Sequence, residues 1–305
     1  MEIRDIRYFM MIAQYGNLAR ASEALDLNPT ALSKSLRRLE DAVGVRLVQR
    51  TPKGVQLTAA GKALVARTDK LQLVLDDIRQ EAADLGKGRA GHINIATGVG
   101  IGEYCIADAS LVLMREAVDV SIRIELFHAG QVTGAVRKGL VDFAVTQNRL
   151  HFQDITVEEL FTVRYVVFAS AKHRLAQRTR LTLADLVNER WVSDIDSRRQ
   201  YDLGELFAAR GLPPPKLRFE ATSFTPRLPL MESSDLIAFA SDAVVRRAAQ
   251  NFRLVVLPVE DIDLTGSVVV SYRRDGYLSP AARRMIEILK AQGRMLANDR
   301  LPRLQ

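Results

Sequence analysis

The run Asn17-Leu18-Ala19-Arg20-Ala21-Ser22-Glu23-Ala24-Leu25-Asp26-Leu27-Asn28-Pro29-Thr30-Ala31-Leu32-Ser33-Lys34-Ser35-Leu36-Arg37-Arg38-Leu39-Glu40 reads as two short helices joined by a tight turn. Asn28 before Pro29 is a helix start: a side chain that accepts a free backbone N–H, then a proline at the first helical position. From there to Val43, at about 100° per residue, Leu32, Leu36, Leu39 and Val43 fall within about 60° of one another and form an apolar stripe. Thr30, Ser33, Lys34 and Arg37 gather about 150° away. Short hydroxyls and long cations near a helix N-terminus suit base edges in a DNA major groove. An ordinary surface helix with a solvated face shares this pattern, so the neighbours decide.

Upstream, Ile6, Phe9, Met10 and Ala13 give a first helix an apolar face that ends near Gly16. Asn17 then caps a short helix bearing Leu18, Ala21 and Leu25, and Asp26-Leu27 turns into Asn28. Downstream, Leu47 to Arg50 and Val55 to Leu57 are strand-like runs around Thr51-Pro52-Lys53-Gly54, a turn with proline at its second position. A hairpin with Arg50 and Lys53 at its tip reaches phosphates or the adjacent minor groove. Residues 1–62 hold ten Lys and Arg against six Asp and Glu, a net +4 of the chain's +7. Such an excess in a small module is the electrostatic footprint of nucleic-acid binding.

The runs Ala21 to Leu25, Ala31 to Glu40, Gly44 to Arg50 and Leu57 to Gly61 resemble, in order and spacing, the N-terminal winged helix-turn-helix of LysR-type transcriptional regulators. The resemblance implies DNA contacts from Thr30, Ser33, Lys34, Arg37, Arg38, Arg50 and Lys53. One departure stands out. The family often places a base-reading glutamine where this chain has Pro29, which cannot donate such a bond.

Thr58 caps a long helix that runs to about Leu85. Leu64, Thr68, Leu71, Leu75, Ile78, Ala82 and Leu85 alternate spacings of four and three, the seam of a coiled coil. A homodimer through this helix is expected, and the resemblance adds a homotetramer of two dimers. Gly86-Lys87-Gly88-Arg89-Ala90-Gly91 matches the spacing of a dinucleotide-binding turn. It follows a helix and precedes a strand, the reverse of what that turn requires, and reads as a hinge.

Beyond the hinge, strands and helices alternate, which predicts a parallel α/β architecture. Strands are expected at His92 to Thr97, Val120 to Phe127, Asp142 to Val145, Tyr165 to Ala169, Leu217 to Phe219, Leu236 to Ala240, Leu254 to Leu257 and Val268 to Tyr272. Helices are expected near Ala107 to Arg115, Thr133 to Lys138, Leu203 to Arg210 and Ala243 to Gln250, with a last one capped by Ser279-Pro280. Two subdomains joined by crossing strands form a small-molecule receptor, and the family's effector domain is built like a periplasmic solute-binding protein. The expected division is 1–58 winged helix-turn-helix, 59–86 linker helix, 87–91 hinge, 92–161 with 268–295 first effector subdomain, and 162–267 second.

Ligands of such sheets sit beyond the C-terminal strand ends. The expected effector wall is therefore Thr97, Gly98, Val99 and Gly100, then His128, Gln131 and Thr133, with Ser193, Asp194, Ser223 and Phe224 opposite. Each taken singly is also an ordinary loop residue. Arg198, Arg199 and Arg227 are further candidates for a carboxylate.

A 305-residue chain with 48% hydrophobic and 26% charged residues supports two or three compact units. No apolar run approaches ~18 residues and no signal-peptide pattern opens the chain, so a cytoplasmic protein without a membrane span is expected. Cys105 is the one cysteine, which excludes an internal disulfide and reads as a packing residue. His92, His128, His151 and His173 are scattered without metal-ligand spacing, and nucleophile-elbow and Walker motifs are absent. The expectation is a regulator that binds double-stranded DNA and an organic metabolite, needs no cofactor or metal, and is not an enzyme. The competing reading is an architectural DNA binder whose C-terminal part only oligomerises.

Overall fold

A computed structural model describes residues 2–52, 54–87, 91–98, 100–127, 129–147, 152–193 and 198–298. The chain divides inside its longest helix, between Arg79 and Gln80, into two compact units.

The first unit holds helices α1 (Ile3–Tyr15), α2 (Leu18–Ala24) and α3 (Pro29–Val43), the hairpin β1 (Val48–Thr51) and β2 (Gly54–Leu57), and the start of α4 (Ala59–Lys87). Its helix boundaries are set by the expected side chains. Asn17 Oδ1 accepts from the N–H groups of Ala19 and Arg20, Asn28 Oδ1 from Thr30 at 2.8 Å, and Thr58 Oγ1 from Gly61 at 3.0 Å. Gly16 ends α1 in the left-handed region (φ 59°), and Asp26, whose short polar side chain tolerates it, takes φ 52° in the turn before α3. Ile6, Phe9, Ile12, Ala21, Leu32, Leu36, Leu39 and Leu47 form one buried cluster. Leu64 of α4 packs on that cluster and Thr68 is buried. The N-terminal end of the expected seam thus lies within its own unit. Beyond it, Leu71, Val74, Ile78 and Leu85 stand exposed, Ile78 by 56% and Leu85 by 82%.

The second unit is a twisted sheet with helices on both faces. Its strands are β3 (His92–Thr97), β4 (Ser121–Leu126), β5 (Phe143–Thr146), β6 (Ile155–Ser170), β7 (Arg190–Ser193), β8 (Lys216–Glu220), β9 (Leu236–Ser241), β10 (Leu254–Val256) and β11 (Thr265–Arg273). Its helices are α5 (Ile101–Glu116), α6 (Ala129–Arg137), α7 (Arg198–Ala208), α8 (Arg227–Glu232), α9 (Asp242–Ala249) and α10 (Pro280–Asn298). The order β4-β3-β5-β11-β6-β9-β7-β8 joins two parallel blocks through antiparallel β11 and β6, with β10 beside β6. Within the 16 residues of β6, Ile155 to Arg164 pair with β11 and Tyr165 to Ala169 with β9. One strand therefore belongs to both halves.

Only the second half of β6 was expected. Its first half interrupts the apolar pattern with Glu158, Glu159 and Thr162, yet Glu158 is held from two sides, by Lys290 and by the Tyr272 hydroxyl, each at 2.6 Å. Helix α5 likewise starts earlier than expected, at Ile101. Gly102 allows this, because a Cβ there would strike Thr97 Oγ1 and the start of α5 could not pack against the end of β3.

Candidate nucleic-acid interface and effector cleft

On α3 the core takes Leu32, Leu36 and Leu39, which leaves Thr30, Lys34 and Arg37 exposed and Ser33 half-buried. These four line one wall of an open groove of about 620 Å³, whose other wall includes Arg46, Val48 and Val55 on the hairpin side. Among the described residues neither Lys34 nor Arg37 meets a carboxylate, so this face keeps its positive charge.

Arg38 is placed differently. Its Nη2 lies 2.6 Å from Oδ1 of Asp5, which is 2% exposed and also accepts from Ser35 Oγ at 2.5 Å. The bond from Arg38 holds the Asp5 carboxyl below the ordinary carboxylate range against the opposing effect of burial, with Ser35 adding to it. Arg38 thereby ties α3 to α1 with its side chain 53% exposed, and it does not line the groove of Thr30 and Lys34. The family resemblance alone suggested it as a DNA contact, and no local pattern revealed its distant partner.

The wing is held as firmly. Glu40 is 5% exposed; one carboxylate oxygen accepts from the N–H groups of Leu47 (2.8 Å) and Val48 (3.3 Å), the other from Arg46 Nη1 (2.8 Å). Val55 N–H donates to Gly16 O at 2.8 Å, docking the hairpin on the turn between α1 and α2. Asp5, Ser35, Glu40 and Arg46 were not singled out by the sequence. Arg50 lies in β1 and its side chain is outside the described residues, as is all of Lys53.

In the second unit the C-terminal ends of β5 and β9 approach each other at one residue. Tyr165 donates its hydroxyl to Gln147 Oε1 at 3.2 Å, just past β5, and pairs in register with Ser241 at the end of β9. The β3–α5 turn faces the other half, since a Cβ on Gly100 would sit 3.9 Å from Val244 of α9. This is where the effector wall was expected. Gly98 and Gly100 of the β3–α5 turn are half-buried, and Ser193, half-buried at the end of β7, accepts at its carbonyl from Ala221 N–H. Gln131 is exposed and Thr133 half-buried on α6, and Ser223 is exposed.

Two expected wall residues belong to the interior instead. Thr97 is fully buried and its hydroxyl donates to the carbonyls of Val145 (2.9 Å) and Gly98 (3.1 Å), joining adjacent strands. Phe224 is buried against Phe168, with Arg227 over its ring at 5.0 Å. Arg227 itself is buried, its Nε donating to Ser223 O, so it is not a surface cation. Val99, His128 and Asp194 lie outside the described residues, as do the side chains of Arg198 and Arg199. Gln147, Tyr165 and Ser241 were missed, because their shared position depends on strand pairing across long stretches of chain.

Cys105 is buried and its thiol is pushed up to about 12, chiefly by that burial, which suits packing and not redox chemistry. Among the described residues no group of His, Cys, Asp and Glu could hold a metal, and no helix is long and apolar enough to cross a membrane.

Residues 3–62 match the model of bacterial regulatory helix-turn-helix proteins of the lysR family, and residues 86–294 that of the LysR substrate binding domain. The transcriptional regulator GbpR of Azospirillum brasilense is 26% identical over 300 residues, covering 95% of this chain and 86% of its own. The SDS degradation transcriptional activation protein of a Pseudomonas species is 26% identical over 294 residues, covering 93% and 94%. Among solved structures, a full-length OxyR variant from Pseudomonas aeruginosa superposes with a TM-score of 0.63 at 21% identity, covering 97% of this chain and 95% of that one. Full-length CbnR in complex with its target DNA gives 0.56 at 16% identity, covering 96% and 100%. The groove, the wing and the two-block sheet fall inside the two matched regions, and the chain belongs to the LysR family of DNA-binding transcription regulators with a C-terminal effector domain.

Proposed function

We propose that α3 enters the major groove with Thr30, Ser33, Lys34 and Arg37 toward the bases, while Arg50 and Lys53 of the wing follow the backbone beside it. The observation that carries this is the positive charge of Lys34 and Arg37 on an exposed face, which meets no carboxylate among the described residues, beside neighbouring arginines that are paired. The exposed apolar row Leu71, Val74, Ile78 and Leu85 on α4 supports a homodimer through that helix, and two such dimers give the homotetramer. The cleft at Gly98, Gly100, Ser193 and Gln147 takes a small organic effector, which prefers one arrangement of the two halves and so biases DNA binding or bending. The protein acts in the cytoplasm, where its DNA is.

Footprinting on the DNA upstream of its own reading frame, with and without a panel of metabolites, tests both functions. Protection that a metabolite alters is the expected result. Protection with no response to any metabolite, and no shift of melting temperature by any, supports the architectural reading. No protection at all overturns the assignment of α3.

A further inference from the structure

We propose that Arg46 is a phosphate-binding residue, presented to the DNA backbone between the recognition helix and the wing by the buried carboxylate of Glu40. The proposal rests on α3 being the element that enters the groove. Arg46 lies on the short connection between α3 and β1, in the same open groove as Thr30, Ser33, Lys34 and Arg37. Its side chain is 75% exposed, yet its Nη1 is fixed 2.8 Å from a Glu40 oxygen. Glu40 is itself immobilised, because its other oxygen holds the N–H groups of Leu47 and Val48 where β1 begins.

A guanidinium has five N–H donors in a rigid fork, and the tether occupies one nitrogen. The remaining edge meets no acceptor among the described residues. A planar donor edge, held in orientation and facing open solvent, matches two phosphate oxygens and loses little freedom on binding. Arg38 is also tethered by one nitrogen, to Asp5, but it does not line this groove. Glu40 matters in a second way. A carboxylate lining a DNA groove repels phosphate unless covered, and Arg46 covers it.

The test is an anisotropy titration of the full chain against a labelled mixed-sequence duplex over a series of KCl concentrations. Arg46→Gln is expected to reduce the slope of log K against log [KCl] by about one per protomer, and to weaken unrelated sequences by a similar factor. Arg46→Lys keeps the charge and is expected to keep most of the slope. The melting temperature of Arg46→Gln stays near that of the parent chain. If Arg46 only covers Glu40, the Glu40→Gln, Arg46→Gln double variant regains full affinity and slope, and the proposal is overturned. An unchanged slope in Arg46→Gln, where Lys34→Ala still weakens binding, overturns it while leaving the reading of α3 intact. A parent chain that binds no duplex overturns that reading and the Arg46 proposal together.

Discussion

The Tyr277 hydroxyl donates to Oδ2 of Asp84 at 3.1 Å, tying the last turns of α4 to the loop before α10. Gln80, one turn earlier on the same helix, bonds the side chain of Asp142, whose carboxyl is pushed up by burial at the start of β5. The end of the linker helix is therefore a fixed part of the effector unit, ahead of the glycine-containing stretch the sequence suggests as a hinge. Strands β3 and β5 lead from this attachment to the cleft, so Asp84 and Asp142 sit at one end of the path and Gly98 and Gln147 at the other.

Tyr277→Phe is expected to free the last turns of α4. One partly exposed hydrogen bond to a carboxylate contributes about 1 kcal/mol, and amide exchange should quicken in residues 80–87 while residues 59–70 stay unchanged. The Tyr277 hydroxyl is raised to about 12, first by burial and then by Asp84. The folded state holds that proton more tightly than the unfolded one. Its contribution is present below about pH 10 and is lost as pH rises from there toward about 12. In Tyr277→Phe, alkaline urea titrations should show a shallower loss of stability across that range.

Asp5→Asn addresses the contact between α1 and α3. The change removes the charge that holds Arg38 and weakens acceptance from Ser35, and is expected to destabilise the DNA-binding unit by about 1–3 kcal/mol at neutral pH. Because the folded carboxyl titrates below its ordinary value of 3.8, its stabilisation is complete above that value and fades as pH falls through the folded one. Helix content followed by circular dichroism during thermal melts should fall below pH 4 in the parent chain and respond less to acid in Asp5→Asn.

Lys34→Ala and Arg37→Ala should each cost about 1–3 kcal/mol of operator affinity and relax preference at the bases they face. Arg38→Ala should act mainly through melting temperature, since its guanidinium is engaged with Asp5. Competition titrations with single-base operator variants separate the two outcomes. Relaxed base preference in Arg38→Ala alone would reverse the assignment.

Leu71→Asp with Ile78→Asp places two charges on a row that the single chain leaves exposed. The fold of one chain should tolerate this, while a helix pair that buries both positions should not. Sedimentation velocity is expected to show monomers with unaltered helix content. A surviving dimer would place the contact elsewhere.

What could be read from the sequence follows the range of the interactions. Asn17, Asn28, Thr58 and Ser279 cap helices through backbone groups two or three residues away, and each was legible. The span of α4 and the two faces of α3 were legible for the same reason. The partnerships of Arg38 with Asp5 and of Tyr165 with Gln147 were not, because nothing within one helical turn distinguishes a guanidinium that will be captured from one that stays free. Thr97 was misplaced by proximity: it ends a strand at the cleft, but its hydroxyl turns to the neighbouring strand.

Gly54 gives a last test, of the wing. It has φ 129°, in the region that favours glycine, and a Cβ on it would strike the carbonyl of Gly16, the acceptor for Val55 N–H. Gly54→Ala must both strain the backbone, at about 1–3 kcal/mol, and displace the hairpin from the α1–α2 turn. The wing carries Arg50 and Lys53, so DNA affinity should fall and its salt slope should shrink. The second unit makes none of these contacts, and metabolite-induced changes in its melting should persist. A Gly54→Ala chain that binds DNA with the parent's affinity and slope would remove the wing from the interface and leave α3 to account for binding without it.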